Sequence, residues 1–372
     1  MKSLPKRAAV AIVLAVALAL TLGAYGHGQV PSAGKPNKPP APPSVDHKAF
    51  QTRPIQLGTS GGNATDSANG YCCSGTLGAL VTDGATQYIL SNTHVFAHDM
   101  IPGGNGIVAK AGDPINQPGL VDTHCITNTD YVANLSDWAH LDGDGNVDAG
   151  IAAVVSGQVD PDGKILEIGT ISSTPVDAFL SQRVKKSGRT TGLTVSSVSA
   201  LNATVTVQYD NECAGTPFTK VYTGQIMVQN RGSKFLAGGD SGSLMVQNVA
   251  TNPAAVGLLF AGSNSVAVAN PIQEVLTALG VDLVGVSGVT ASEAGEAPPR
   301  SEVARALRAQ QHWANVLLKI PRGVGHGIGL DGGRVVVKVL VEEITDEARR
   351  AVPNNVDGVP VVLEAVGRIV AY

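Results

Sequence analysis

The chain has 372 residues, 43% hydrophobic and 15% charged, with a net charge of −4. That length suits two domains, and the composition supports a large core and excludes a fully disordered chain. No long basic run follows the first residues, so the concentrated Lys/Arg surface that phosphate binding needs is missing and nucleic acid is not expected as a partner.

In chain order, Lys2, Lys6 and Arg7 give a positive start, residues 8–22 form an unbroken apolar run, and Ala24 and Gly26 supply small residues for cleavage. This predicts a signal peptide over 1–26, and hence a secreted, periplasmic or envelope protein with no membrane association after cleavage. An uncleaved anchor is the alternative reading of the same run. Residues 27–54, with Pro39, Pro40, Pro42 and Pro43, read as an extended tether without a core. From 55 to 286, short apolar runs alternate with glycine, asparagine and aspartate. Asp83-Gly84 between two such runs is a hairpin signal, and residues 271–279 read as a terminal helix. About 230 residues of this texture predict an all-β domain of two barrels.

Residues 287–299 read as a second linker, ending in Pro298-Pro299. Residues 300–372 read as a small α+β module of unknown role. It has helices over 301–314, capped by Ser301, and 346–351, and strands over 316–320, 334–341 and 359–366. The glycine-rich run from Gly323 to Gly329 leads into Asp331-Gly332-Gly333 and a strand rather than a helix. It is therefore read as a hairpin and not as a phosphate loop. Cys72, Cys73, Cys125 and Cys213 fit an oxidising compartment; four cysteines allow three pairings, and adjacent Cys72 and Cys73 should each reach a distant partner.

The sharpest motif is Gly238-Gly239-Asp240-Ser241-Gly242-Ser243. A serine hydroxyl is a weak nucleophile that needs a base and convergent N–H donors for the oxyanion, and flanking glycines allow such a loop. The run Ser91-Asn92-Thr93-His94 ends an apolar strand and presents His94 where a general base should sit. Asn146-Val147-Asp148-Ala149 opens another apolar strand with an aspartate suited to hold the imidazole through its Nδ1–H. Asp144 is the second candidate for that role. The pattern Asp142, Asp144, Asn146 fails as a calcium loop because Val147 and Ala153 stand where glycine and glutamate are needed. His94 and His98 lack the adjacent glutamate of a zinc helix, so neither a metal nor any other cofactor is expected.

The order His94, Asp148, Ser241, with an interval of 93 positions from Asp148 to Ser241, resembles the trypsin-like (chymotrypsin-fold) serine peptidases. Ser187-Gly188-Arg189-Thr190-Thr191-Gly192 is similar to a segment of bacterial secreted members such as the α-lytic and streptogrisin proteases. The strings over 90–97, 116–119, 146–152 and 257–262 resemble a bacterial branch related to the plant NARROW LEAF protease-like proteins. The resemblance covers roughly residues 55–286. It implies two six-stranded barrels with the triad between them and an oxyanion hole from the N–H groups of Gly239 and Ser241. It also implies that Arg189 pairs with Asp240 and orders the loop without a zymogen nick.

Three departures stand out. No cysteine follows the histidine turn. Phe260 falls where many members carry a serine beside the triad aspartate. Phe235 falls where trypsin carries an acidic pocket residue, so the pocket of Phe235, Phe260, Ala261 and Gly262 suits a small or apolar side chain. The expectation is a secreted serine endopeptidase acting on polypeptides. A protease-fold binding protein, inactive or restrained by its C-terminal module, and an esterase with the same triad are the alternatives. The module's own partner stays open between the peptidase domain and an exported protein.

Overall fold

The computed structural model describes residues 45–68, 71–97, 108–126, 129–209, 217–287 and 297–372. The expected signal peptide, most of the first tether, His98, Cys213 and most of the second linker lie outside these residues.

The first half builds an antiparallel barrel from β1 (Thr59–Asn63), β2 (Gly75–Leu77), β3 (Ala79–Thr82), β4 (Gln87–Ser91), β5 (Pro114–Asn116), β6 (Tyr131–Trp138) and β7 (Gly150–Val154). β1 pairs with β2 and β5, β5 with β6, β6 with β7, β7 with β4, and β4 with β3. β2 and β3 are one run interrupted at Gly78, whose N–H donates to Leu90 O (2.9 Å), so six runs close the ring. Asp83-Gly84 turns β3 into β4, with Thr82 opposite Gln87. Gly84 takes the positive φ (93°) that such tight turns reserve for glycine. Leu77, Leu80, Ile89, Leu90, Ile115 and Leu135 fill the barrel, all at 1% exposure or less. Full burial stabilises each by about 1.5–3 kcal/mol.

The second barrel comprises β8 (Arg183–Gly188), β9 (Gly192–Tyr209), β10 (Phe218–Gln229), β11 (Leu244–Gln247), β12 (Ala255–Gly262) and β13 (Val266–Pro271). The ring runs β8–β9–β10–β13–β12–β11 and closes back on β8, every pair antiparallel. Two short helices flank the barrels, α1 (Thr93–Phe96) and α2 (Ile272–Leu279). This is the all-β chymotrypsin-like double barrel.

The C-terminal part contains α3 (Arg300–Leu317), β14 (Gly323–Asp331), β15 (Arg334–Val341), α4 (Asp346–Ala351), β16 (Val359–Ala365) and β17 (Val370–Ala371). β14 and β15 form a hairpin through Gly332 and Gly333, and β16 joins β15 in parallel. β14 also pairs with β9, so the sheet of the second barrel continues into this module. Gln310 on α3 fastens the join. Its side chain accepts from Asn202 Nδ2 (2.9 Å) and donates to Asn202 O (2.8 Å) and His326 Nδ1 (2.8 Å).

Three local expectations change. Pro299, not Ser301, is the N-cap of α3, its φ of −52° already close to helical. Val316 and Leu317 belong to α3 rather than a strand, because Ala306, Ala309, Trp313 and Leu317 continue one apolar stripe at helical spacing. Residues 45–54 are fixed to the barrel. His47 is buried, with Nδ1 at 2.6 Å from Gly58 O and Nε2 at 2.8 Å from Glu167, and Arg53 donates to Gln117 Oε1 (2.9 Å).

Candidate active site

β4 delivers the chain to Asn92 and α1, and His94 sits in that helical turn with 5% of its surface exposed. Thr93 anchors the turn by donating to Ala139 O (2.8 Å) and Ala149 O (2.9 Å). Asp148 lies two residues before the start of β7 and is fully buried. Two asparagines clamp its backbone: Asn92 Nδ2 donates to its carbonyl (2.6 Å) and Asn270 Oδ1 accepts from its N–H (3.0 Å). Its carboxylate accepts from His94 Nδ1 (2.6 Å) and from the His94 N–H (3.2 Å). Asp144, the second candidate, is exposed.

Sequence reasoning missed the next partner. Tyr209, the last residue of β9, donates its hydroxyl to Asp148 Oδ2 (2.8 Å), and its own oxygen lies 2.6 Å from the Tyr222 hydroxyl. A phenol thereby supplies the hydroxyl that Phe260 cannot, while the Phe260 ring packs edge-on against Tyr222 at 4.9 Å. Burial, reinforced by the Asp148 charge, holds the Tyr209 phenol well above its ordinary value. Burial does the same to Tyr222. Both therefore stay neutral and able to donate. The only sequence signal was indirect: Phe260 left a buried carboxylate short of a donor.

Ser241 follows β10 in a loop fixed by Asp240 and is fully buried. Gly239 has φ +90°, and a Cβ there would lie 2.5 Å from Arg189 Nη1 and 2.7 Å from Thr190 Oγ1. Asp240 accepts from the N–H groups of Thr190 (2.8 Å), Thr191 (3.1 Å) and Ala237 (3.0 Å), and from the Thr191 hydroxyl (2.7 Å). Its cationic partner is Lys186, 3.2 Å away, both side chains fully buried. Burial lowers the Lys186 pKa and Asp240 opposes that fall. The expected Arg189–Asp240 pair is replaced by this one. Lys186 points into the protein from within β8, whereas Arg189 lies beyond the strand end. There its guanidinium grips Asp122 through two bonds of 2.7 Å, from Nε to Oδ2 and from Nη2 to Oδ1.

The Ser241 hydroxyl donates to Phe260 O (3.0 Å), and Tyr372 N–H donates to the same carbonyl (3.3 Å). The Tyr372 backbone oxygen lies 3.0 Å from His94 Nε2. Tyr372 thus contacts both the carbonyl that Ser241 bonds and the imidazole that Asp148 holds. Phe235 is buried, in a cluster against which the Tyr372 ring packs. Ala261 and Gly262 pair with Ala371 and Val370. A Cβ on Gly262 would lie 3.1 Å from Tyr372 Cε2.

Cys72 and Cys125 form a disulfide and Cys73 is also disulfide-bonded. Among the described residues no helix is long and apolar enough to cross a membrane, and no group of three or more His, Cys, Asp or Glu side chains is placed to hold a metal ion.

No curated protein matches the chain. Among solved structures it is similar to a glutamic acid-specific serine protease that uses a histidine triad in substrate binding, at 21% identity and TM-score 0.41, over 62% of this chain and 100% of that one. It is also similar to Thermobifida fusca protease A, at 18% identity and TM-score 0.41 over 62% and 99% of the two chains. Nocardiopsis protease follows at 14% and 0.40, over 62% and 98%. The family model of the Nal1 C-terminal domain matches residues 124–273, a span that contains Asp148, Tyr209, Ser241 and Phe260.

Proposed function

We propose that this protein is an exported serine endopeptidase in which Ser241, His94 and Asp148 form the triad. The observation that carries the reading is the convergence of a buried His94–Asp148 pair with the Ser241 hydroxyl around one peptide segment. Ser241 Oγ attacks the carbonyl carbon of a polypeptide while His94 Nε2 takes its proton. The Ser241 hydroxyl, which donates to Phe260 O in the resting chain, must first turn towards the imidazole. Gly239 and Ser241 N–H groups receive the oxyanion, His94 returns the proton to the leaving amine, and water then hydrolyses the acyl-enzyme by the same route in reverse. Asp148 holds the Nδ1–H tautomer, and Tyr209 steadies Asp148. Lys186 and Asp240 hold the loop from behind, the ordering role first assigned to Arg189. Export rests on the leader-like first 26 residues and the disulfides.

A fluorophosphonate probe tests the reading on the chain freed of residues 370–372. Labelling that disappears in Ser241→Ala supports it; no labelling of a variant that still unfolds cooperatively overturns it. A second reading, a peptidase restrained by its own C-terminal module, is favoured by the position of Tyr372 at His94. An esterase would use the same groups, and ester and amide substrates with matched leaving groups separate the two.

A further inference from the structure

The segment from Val366 to Tyr372 is bound to the peptidase domain by more than one device. Val366 and Ile369 are buried in the main core, each 1% exposed. Ser263 Oγ donates to Val366 O, and Gln208 N–H donates to Ile369 O (3.0 Å). β17 then runs parallel to the end of β9 and antiparallel to β12, with Ala371 opposite Ala261 and Val370 opposite Gly262.

This pairing brings the Tyr372 backbone to the groups that the proposed mechanism uses. Its N–H and the Ser241 hydroxyl share the Phe260 carbonyl, and only two covalent bonds separate that nitrogen from the Tyr372 carbonyl carbon. The oxygen on that carbon faces His94 Nε2. The side chain runs past Gly262 into the cluster that holds Phe235, Leu236 and Val228. Burial raises the Tyr372 phenol pKa, and the Ser233 side chain, whose hydroxyl donates to Asn264 Oδ1 (2.9 Å), opposes the rise. The surface that receives the half-buried ring is therefore apolar, with the Ser233 side chain near the phenol. It matches an uncharged ring with a polar tip, and a charged side chain laid on the same apolar cluster would lose part of its hydration.

We infer that the cleft selects tyrosine on the acyl side of the bond it cuts, with small residues such as alanine next to it. The Val370-Ala371-Tyr372 strand occupies those same subsites in the resting chain and excludes substrate. This deepens the peptidase reading and rests on it for turnover, but not for binding. The Tyr372 oxygen faces His94 Nε2, so the occupied form also covers the proposed base. Tethering gives the strand an effective concentration at the millimolar level or above, so modest intrinsic affinity suffices.

The test compares the full chain, a chain ending at Ile369, and Tyr372→Ala, using acetyl-Val-Ala-Tyr, -Val-Ala-Arg and -Val-Ala-Glu aminocoumarin amides. The shortened chain and Tyr372→Ala should raise kcat/KM for the tyrosine amide about tenfold or more, and tyrosine should exceed arginine and glutamate by about 100-fold. Fluorophosphonate labelling with no rate gain, or with arginine or glutamate preferred, overturns the inference and leaves the hydrolase reading intact. If nothing labels, the hydrolase reading falls and binding decides the inference. Acetyl-Val-Ala-Tyr acid, titrated to about 10 mM by NMR into the shortened chain carrying Ser241→Ala, should bind saturably, where the arginine analogue does not. Absence of that binding, or equal binding of both peptides, overturns it.

Discussion

Replacing Tyr209 by phenylalanine isolates the hydroxyl that steadies Asp148. The ring is fully enclosed, stacked on Phe218 at 4.7 Å, so the shape survives and only the oxygen is lost. The change removes one hydrogen bond to a buried carboxylate, about 1.5–3 kcal/mol. It also strips the Tyr222 hydroxyl of its Tyr209 partner, a further cost of about 1 kcal/mol or more. The expected destabilisation is about 2–4 kcal/mol, against about 1 kcal/mol for Tyr222→Phe. The double variant should cost less than the sum of the two by about 1 kcal/mol, because the orphaned phenol is then absent. Urea unfolding in a Ser241→Ala background reads these values free of autolysis. In the chain ending at Ile369, Tyr209→Phe should lower kcat about tenfold with KM little changed, since His94 and Asp148 keep their 2.6 Å bond. Strict additivity of the two substitutions, or a Tyr209→Phe variant within about 0.5 kcal/mol of the parent, would refute the hydrogen-bond chain.

Lys186→Met should destabilise by about 3–5 kcal/mol in urea unfolding and weaken fluorophosphonate labelling, because it strands the buried Asp240 charge behind the nucleophile loop. Gly239→Ala should abolish labelling, since it needs φ +90° and places its methyl against Arg189 and Thr190; intact near-UV circular dichroism would show that the damage is local. His326 is buried with Gln310 donating to its Nδ1, and burial lowers its pKa from 6.5 to about 4. A depressed histidine keeps its contribution above the unfolded value and loses it as pH falls, so stability should drop between pH 6.5 and about 4, by about 3 kcal/mol at the lower end. His326→Gln should flatten that decline in urea titrations across the window. Cys72→Ser with Cys125→Ser opens a loop closed over 53 residues and should cost about 4 kcal/mol in the same assay.

Local chemistry was legible wherever one short stretch carried the whole signal. Asp83-Gly84 announces its hairpin because glycine takes the required φ cheaply, and α4 begins where Thr345 accepts from Ala348 N–H (3.1 Å). The glycines around Ser241 report a loop that must pass close to other backbone. What could not be read was choice among distant partners. Lys186 and Arg189 lie three residues apart and carry the same charge. Only the direction of β8 and the position of Asp122 decide which cation meets Asp240. Tyr209 looks like any strand end until β9 brings it beneath the histidine turn. The mistaken strand at 316–320 shows β-branched propensity yielding to a helical stripe that had one more core residue to bury. The destination of β17 has no motif at all, since its pairing is set by β9 and β12, far away in the chain.

The pairing of β14 with β9 has a consequence for solubility. Without β14, β9 would present a row of unsatisfied amides and carbonyls between Ala200 and Val205, on a long twisted hairpin that other chains could extend. Leu201, which faces Ile328 across that seam, would join the exposed rim. A chain cut between the barrels and α3 should therefore self-associate, edge to edge, at concentrations where the intact chain stays dispersed. Residues 323–331 cover that edge and carry the sheet on into β15 and β16 within a single molecule.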